Sequence, residues 1–275
     1  MFGQAYKKII VVLIFFNLSA CSVVGGLWYE RIDQLIANQF LEYANFSNAQ
    51  EDYVRKATSE FKYWNIKNEL PEYNQLLLQF RFLDSTTGVD DIDDIYQKGI
   101  LLGNRSRDFF IPYMVEFCKT ITNKQIEEIA IYFDGLIKER KLELENQRKN
   151  FQGSLVKSFT RFFRLMGIRP NNEQTNIIQL LLSDIEDTRE QLISDRTQWN
   201  QQFVTILTLK QKENFEETLT NHINSLISED PNTRTVINQI TAEILASLDE
   251  KQRARFQKRL AVFVTSIDQI LAREN

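Results

Sequence analysis

Two thiols, one imidazole and a run of four aspartates are the groups in this 275-residue sequence with obvious chemistry. The single histidine, His222, stands in Thr220-Asn221-His222-Ile223-Asn224, with no Cys, His or Glu at ligand spacing, so no zinc site is expected there. No Gly-x-Ser-x-Gly turn offers a nucleophile, and the nine glycines are scattered rather than gathered into a phosphate-binding loop. His222 is therefore expected on a helix surface. The cluster Asp90, Asp91, Asp93 and Asp94 lacks the spaced oxygens, the Gly and the distant Glu of a calcium loop. Acids at a helix start interact with its dipole, at a few tenths to about 1 kcal/mol each, and that is the role expected for them. Among 37 acidic residues no pair is singled out for glycosidic chemistry, so a cell-wall-acting hydrolase stays as an alternative and the expectation is no enzyme, no metal and no cofactor.

The thiol of Cys21 is different because of what precedes it. Lys7 and Lys8 are followed by the apolar run Ile9-Ile10-Val11-Val12-Leu13-Ile14-Phe15-Phe16 and then by Leu18-Ser19-Ala20-Cys21. A charged start, a short apolar run and small residues at a cleavage point are the order of a secretory signal. The apolar run is shorter than the roughly 20 residues that a membrane-spanning helix needs. Leu-Ser-Ala-Cys resembles the lipobox of bacterial lipoproteins. That resemblance implies cleavage between Ala20 and Cys21, acyl chains on the Cys21 thiol, and a protein anchored by lipid to a membrane. Ser22, where inner-membrane lipoproteins carry Asp, resembles the outer-membrane class, which implies a body facing the periplasm. Three segments are expected: a leader over 1–20, a lipidated tether over 21–26 and one helical domain over 27–275. With Cys21 acylated, Cys118 has no partner for an intramolecular disulfide and is expected to pack as a small buried hydrophobe.

Hydrophobic content of 43%, with 20 Phe and 9 Tyr, is enough to fill a core, and only 4 Pro and 9 Gly imply long helices with short connections. Apolar residues recur at helical spacing through Trp28, Ile32, Leu35, Ile36 and Phe40, and again through Tyr53, Ala57, Phe61 and Trp64. No alternating strand segment is found. The expected fold is all-α, a bundle of about eight or nine antiparallel helices with one or two long ones. Removing the leader, with its two lysines and no acids, takes the formal charge from −4 to −6. A chain of that sign lacks the counter-charge that nucleic-acid phosphates demand, so no nucleic-acid partner is expected.

Helix starts repeat a pattern. Thr122 with Gln125, Asn171 with Gln174, Thr208 with Gln211 and Asp249 with Gln252 each set a capping side chain three residues before a Gln, and earlier in the chain either Ser47 with Gln50 or Asn48 with Glu51 offers a cap. This is the capping box, in which the cap oxygen accepts from the third amide and the Gln reaches back to the cap amide. The Thr-x-x-Gln form resembles the LTxxQ motif of periplasmic stress chaperones, which implies a chaperone as one alternative function. A wider set resembles a family of proteobacterial lipoproteins classed as a domain of unknown function. It comprises the lipobox, Trp28-Tyr29, Trp64-Asn65-Ile66-Lys67-Asn68-Glu69-Leu70-Pro71-Glu72-Tyr73 and Leu248-Asp249-Glu250-Lys251-Gln252-Arg253. That likeness implies a helical periplasmic lipoprotein and brings no catalytic residues with it.

One stretch stands out by charge. Asn146 to Asn172 holds no acid, while Lys157, Arg161 and Arg164 fall on one face of a helix and Phe159, Phe162, Phe163 and Met166 on the other. Such a helix either turns its basic face to a membrane or to an acidic partner, or is a core helix with a solvated basic face. The function expected overall is a membrane-anchored lipoprotein that binds a protein or an envelope component through a groove between helices, with its oligomeric state open.

Overall fold

The structure is a computed structural model that describes residues 29–147, 150–225 and 231–274. Ala20 and Cys21, with the expected leader and tether, lie outside the described residues. All regular structure among the described residues is helical, in eleven helices: α1 (Ile32–Leu41), α2 (Asn48–Asn68), α3 (Leu70–Arg81), α4 (Val89–Thr120), α5 (Asn123–Gln147), α6 (Phe151–Leu165), α7 (Asn172–Leu182), α8 (Arg189–Thr208), α9 (Phe215–Asn224), α10 (Pro231–Ala246) and α11 (Glu250–Glu274). The all-α expectation holds. The number exceeds the expected eight or nine; one of the divisions, at Ser183–Thr188, separates α7 from α8, which are buried in different cores.

The longest helix ties the molecule together. Gly99, Gly103 and Pro112 could each end a helix, yet α4 runs on through all three for 32 residues, about 48 Å at 1.5 Å per residue. Pro112 lies on the exposed side, and the opposite face is held by Ile92 and Leu102 at one end and Val115, Phe117 and Cys118 at the other. The first core gathers Ala37, Val54, Val115, Phe117, Ile126 and Phe203 with their neighbours from α1, α2, α4, α5, α8 and α9. The second gathers Ile92, Phe163, Ile178, Ile240, Phe256 and Leu260 from α4, α6, α7, α10 and α11. A smaller cluster, Tyr29, Ile32, Ile66, Leu70, Ile267 and Ile270, joins the chain's entry to the end of α11. Pro71 opens α3 in the first turn as its missing N–H allows, and buried Glu69 at that bend is gripped by Arg105 of α4, with Nε 2.9 Å from Oε1.

Two buried amide pairs organise these cores. Gln50 and Gln125 face each other in the first, 75 residues apart, and Gln174 and Gln252 in the second, 78 apart. Each Nε2 donates to its partner's Oε1: 3.2 and 2.8 Å in the first pair, 3.1 and 2.8 Å in the second. Each Nε2 also donates to a backbone carbonyl five residues before its partner: Thr120, Asn45, Ser247 and Arg169. Each Oε1 accepts in addition the N–H of its own N-cap, Ser47, Thr122, Asn171 or Asp249, at 2.8 to 3.1 Å. Both donors and both acceptor positions of all four carboxamides are thus filled, as burial demands. The same amide-pair geometry thus occurs once in each core. The apolar residue one turn on, Val54, Ile129, Ile178 or Phe256, is buried beneath each amide.

Three of the four pairs of cap and Gln placed in one series by the sequence are real, and Ser47 with Gln50 completes the set. Thr208 with Gln211 is not a helix start: Thr208 ends α8, turns follow over 209–214, and α9 begins at Phe215. Replacing Gln174 by Ala leaves the Gln252 carboxamide buried with donor and acceptor unmatched, and urea unfolding should show a loss of about 2–4 kcal/mol. Gln174→Leu with Gln252→Leu together should cost less than the sum of the two single changes, by about 1–2 kcal/mol of coupling.

Candidate functional site

The basic segment folds as α6, and its construction decides which face is available. Ser154, Ser158 and Thr160 return their hydroxyls to carbonyls three or four residues back, so the polar positions of the helix are satisfied locally. Its end is a Schellman turn: Ile168 N–H donates to Phe163 O at 2.8 Å and Gly167 N–H to Arg164 O at 3.1 Å. Gly167 has φ +82°, and a Cβ there would stand 2.9 Å from the Arg255 carbonyl of α11. Glycine is needed twice over, for the left-handed backbone and for the close crossing of the two helices. Arg259 closes the crossing by donating from Nε to Leu165 O at 3.1 Å.

The apolar side of α6 is spent on the core. Phe163 and Met166 are 1% exposed, and Leu155, Val156, Phe159 and Phe162 pack against the same cluster. Lys157, Arg161 and Arg164 are brought together on the opposite face, all exposed, and none has a carboxylate partner among the described residues. The segment therefore spends its apolar side on the second core and leaves its basic face exposed, and its phenylalanines are not free to enter a bilayer. On α11, Lys251, Arg255 and Lys258 are exposed at i, i+4 and i+7, one stripe beside the crossing.

The other candidates are placed elsewhere. His222 is not on a helix surface: it is 8% exposed, stacked on Trp199 with ring centroids 4.5 Å apart. Its Nε2 lies 3.0 Å from Trp199 O, and the indole Nε1 of Trp199 donates to His222 O at 3.0 Å. Its flanking asparagines gave the sequence no sign of burial, because the ring that covers it is 23 residues earlier. Burial holds the imidazole below its ordinary pKa of 6.5, against the raising effect of the Trp199 carbonyl. Burial likewise pushes the Cys118 thiol up to about 12, which leaves it a packing group with little thiolate. The aspartates around the start of α4 point to separate partners: Asp91 caps Gly88 N–H at 2.8 Å, Asp94 pairs with Lys98, and Asp93 holds Asn238 and Arg234. Neither Asp90 nor Asp91 is the N-cap residue, which is Gly88. A shallow open groove of about 500 Å³ runs between α5 and α8, lined by Leu144, Glu145, Glu190, Ile193 and Thr197.

Compared with protein families, with curated proteins and with solved structures, the chain gives no match.

Two outcomes follow from this geometry. Gly167→Ala should lower stability by about 2 kcal/mol in chemical unfolding, through left-handed strain and the clash with the Arg255 carbonyl. His222 is neutral in the folded protein and charges more readily when unfolded, so its contribution is complete above about pH 6.5 and declines as pH falls below it. Unfolding midpoints measured between pH 7.5 and 5 should fall with pH, and His222→Phe should flatten that slope.

Proposed function

We propose that this protein is a lipid-anchored lipoprotein of the bacterial envelope, acylated on Cys21, whose helical body faces the periplasm from the outer membrane and has a binding or structural role without catalysis. The observation that carries this reading is Leu18-Ser19-Ala20-Cys21 placed directly after a charged, apolar leader. The body fits the arrangement. Tyr29, the first described residue, is packed, with its phenol donating to Asn65 Oδ1, and the tether that would join it to the anchoring thiol spans eight positions. Extended, that tether reaches about 28 Å and keeps the body close to the bilayer. Two groups with catalytic potential are absorbed by packing: His222 by Trp199 and Cys118 by the first core. Two acyl chains, at roughly 0.8 kcal/mol per buried CH₂, give a stable anchor.

The purified protein should yield an N-terminal tryptic peptide spanning residues 21–31 with a diacylglyceryl mass on Cys21. A peptide with an unmodified thiol, or one still joined to residues 1–20, would overturn the reading. On density gradients the wild type should travel with the outer membrane, and Ser22→Asp should move it to the inner-membrane fraction.

A further inference from the structure

We infer that the cationic surface formed by Lys157, Arg161 and Arg164 of α6 with Lys251, Arg255 and Lys258 of α11 binds the anionic phospholipid headgroups of the bilayer that holds the acyl anchor, as a peripheral electrostatic contact. The inference rests on the reading of Cys21 as an anchor and names the partner of that same membrane face. Six exposed cations without a carboxylate partner among the described residues are out of keeping with a net-acidic chain. Most other exposed cations either pair, as Lys56 does with Glu60, Lys124 with Glu128 and Arg273 with Glu30, or stand beside acids in the chain, as Lys138 and Lys141 do among Glu139, Glu143 and Glu145 and Lys212 does beside Glu213. Asp249 is committed to its cap, accepting from Gln252 N–H at 2.7 Å, and Glu250 lies about 100° round α11 from Lys251.

Helix stability does not explain the cluster. Arg161 and Arg164 sit at the C-terminal end of α6, where the dipole favours them, but Lys251 and Arg255 sit in the first turns of α11, where it opposes them. Like charges gathered against the dipole lower stability unless an outside anion meets them. The two stripes join at the crossing, since that of α6 ends three residues before Gly167 and that of α11 passes through Arg255, beside which Gly167 packs. The anchor allows contact. Arg273 pairs with Glu30 at the body's entry, and 18 residues of α11, about 27 Å, separate Arg273 from Arg255. That span is no longer than the reach of the tether. With Phe163 and Met166 locked in the core, the contact is one of charges at headgroup level without insertion.

The test uses residues 22–275, which retain every described residue and carry no acyl group, in sedimentation with vesicles of phosphatidylethanolamine alone or with 30 mol% phosphatidylglycerol. The mole fraction is on the order of bacterial anionic lipid content and puts about one charge per headgroup triplet before the patch. Binding should appear with phosphatidylglycerol, be absent without it, and fall steeply with added NaCl. Arg161→Glu with Arg164→Glu and Arg255→Glu should weaken it about tenfold or more. Lys138→Glu with Lys212→Glu should change it less than about twofold, and circular dichroism should show both variants equally helical. Binding that ignores lipid charge or survives the triple reversal would overturn the inference. So would tighter binding to poly-glutamate than to these vesicles, which would assign the patch to an acidic polypeptide. Because this protein lacks the acyl group, failure of the Cys21 reading appears in the peptide mass and failure of the patch appears here.

Discussion

A buried carboxamide has two donors and two acceptor positions, and a dry interior supplies no water to fill them. In this protein that constraint is met twice by letting two glutamines satisfy each other while each still closes the cap of its own helix. The demand is mutual: if one helix start moves, four hydrogen bonds and two caps are lost together. Such networks specify one arrangement of the elements more strongly than apolar contact does, because a shifted register leaves polar atoms buried and unmatched. The two pairs differ in strength at the cap. Ser47 and Thr122 accept at 3.4 and 3.2 Å, whereas Asn171 and the charged Asp249 accept at 2.9 and 2.7 Å. The second core therefore holds the tighter clamp.

That clamp sits where the cationic surface is built. Gln252 lies on α11 between Lys251 and Arg255, and Gln174 begins the helix that follows the Gly167 turn. The amide pair fixes the start of α11, the start of α11 fixes the Arg255 carbonyl against Gly167, and that crossing sets the end of α6. Apolar residues on the inner faces then leave the lysines and arginines no direction but outward. The arrangement explains how a helix with so marked an apolar side has that side buried inside the body while its charges face outward.

What could be read along the chain was local. Cap residues, a left-handed glycine such as Gly167 and a first-turn proline such as Pro71 each depend on neighbours within a few positions, and helical periodicity carried the all-α class. Features set by distant neighbours were hidden. Nothing near Gln50 announces Gln125, 75 residues away, and nothing near His222 announces the indole of Trp199. Thr208 and Gln211 show the reverse error: the letters fit a cap, but Leu207 and Phe215 are both buried, and the short path between them takes turns instead of a helix start. Gly99, Gly103 and Pro112 do not end α4, whose two ends are anchored in separate cores.

The account requires the α6 face to lie nearer the bilayer than the first core does. Spin labels on the acylated protein, placed singly at Lys157→Cys or at Ile131→Cys on exposed α5, would measure this in phosphatidylglycerol vesicles with a paramagnetic headgroup lipid. The buried Cys118 thiol, held near 12, stays out of the labelling reaction. Stronger relaxation at position 157 than at 131 is the predicted result. Equal relaxation at the two positions, or the opposite order, would contradict it.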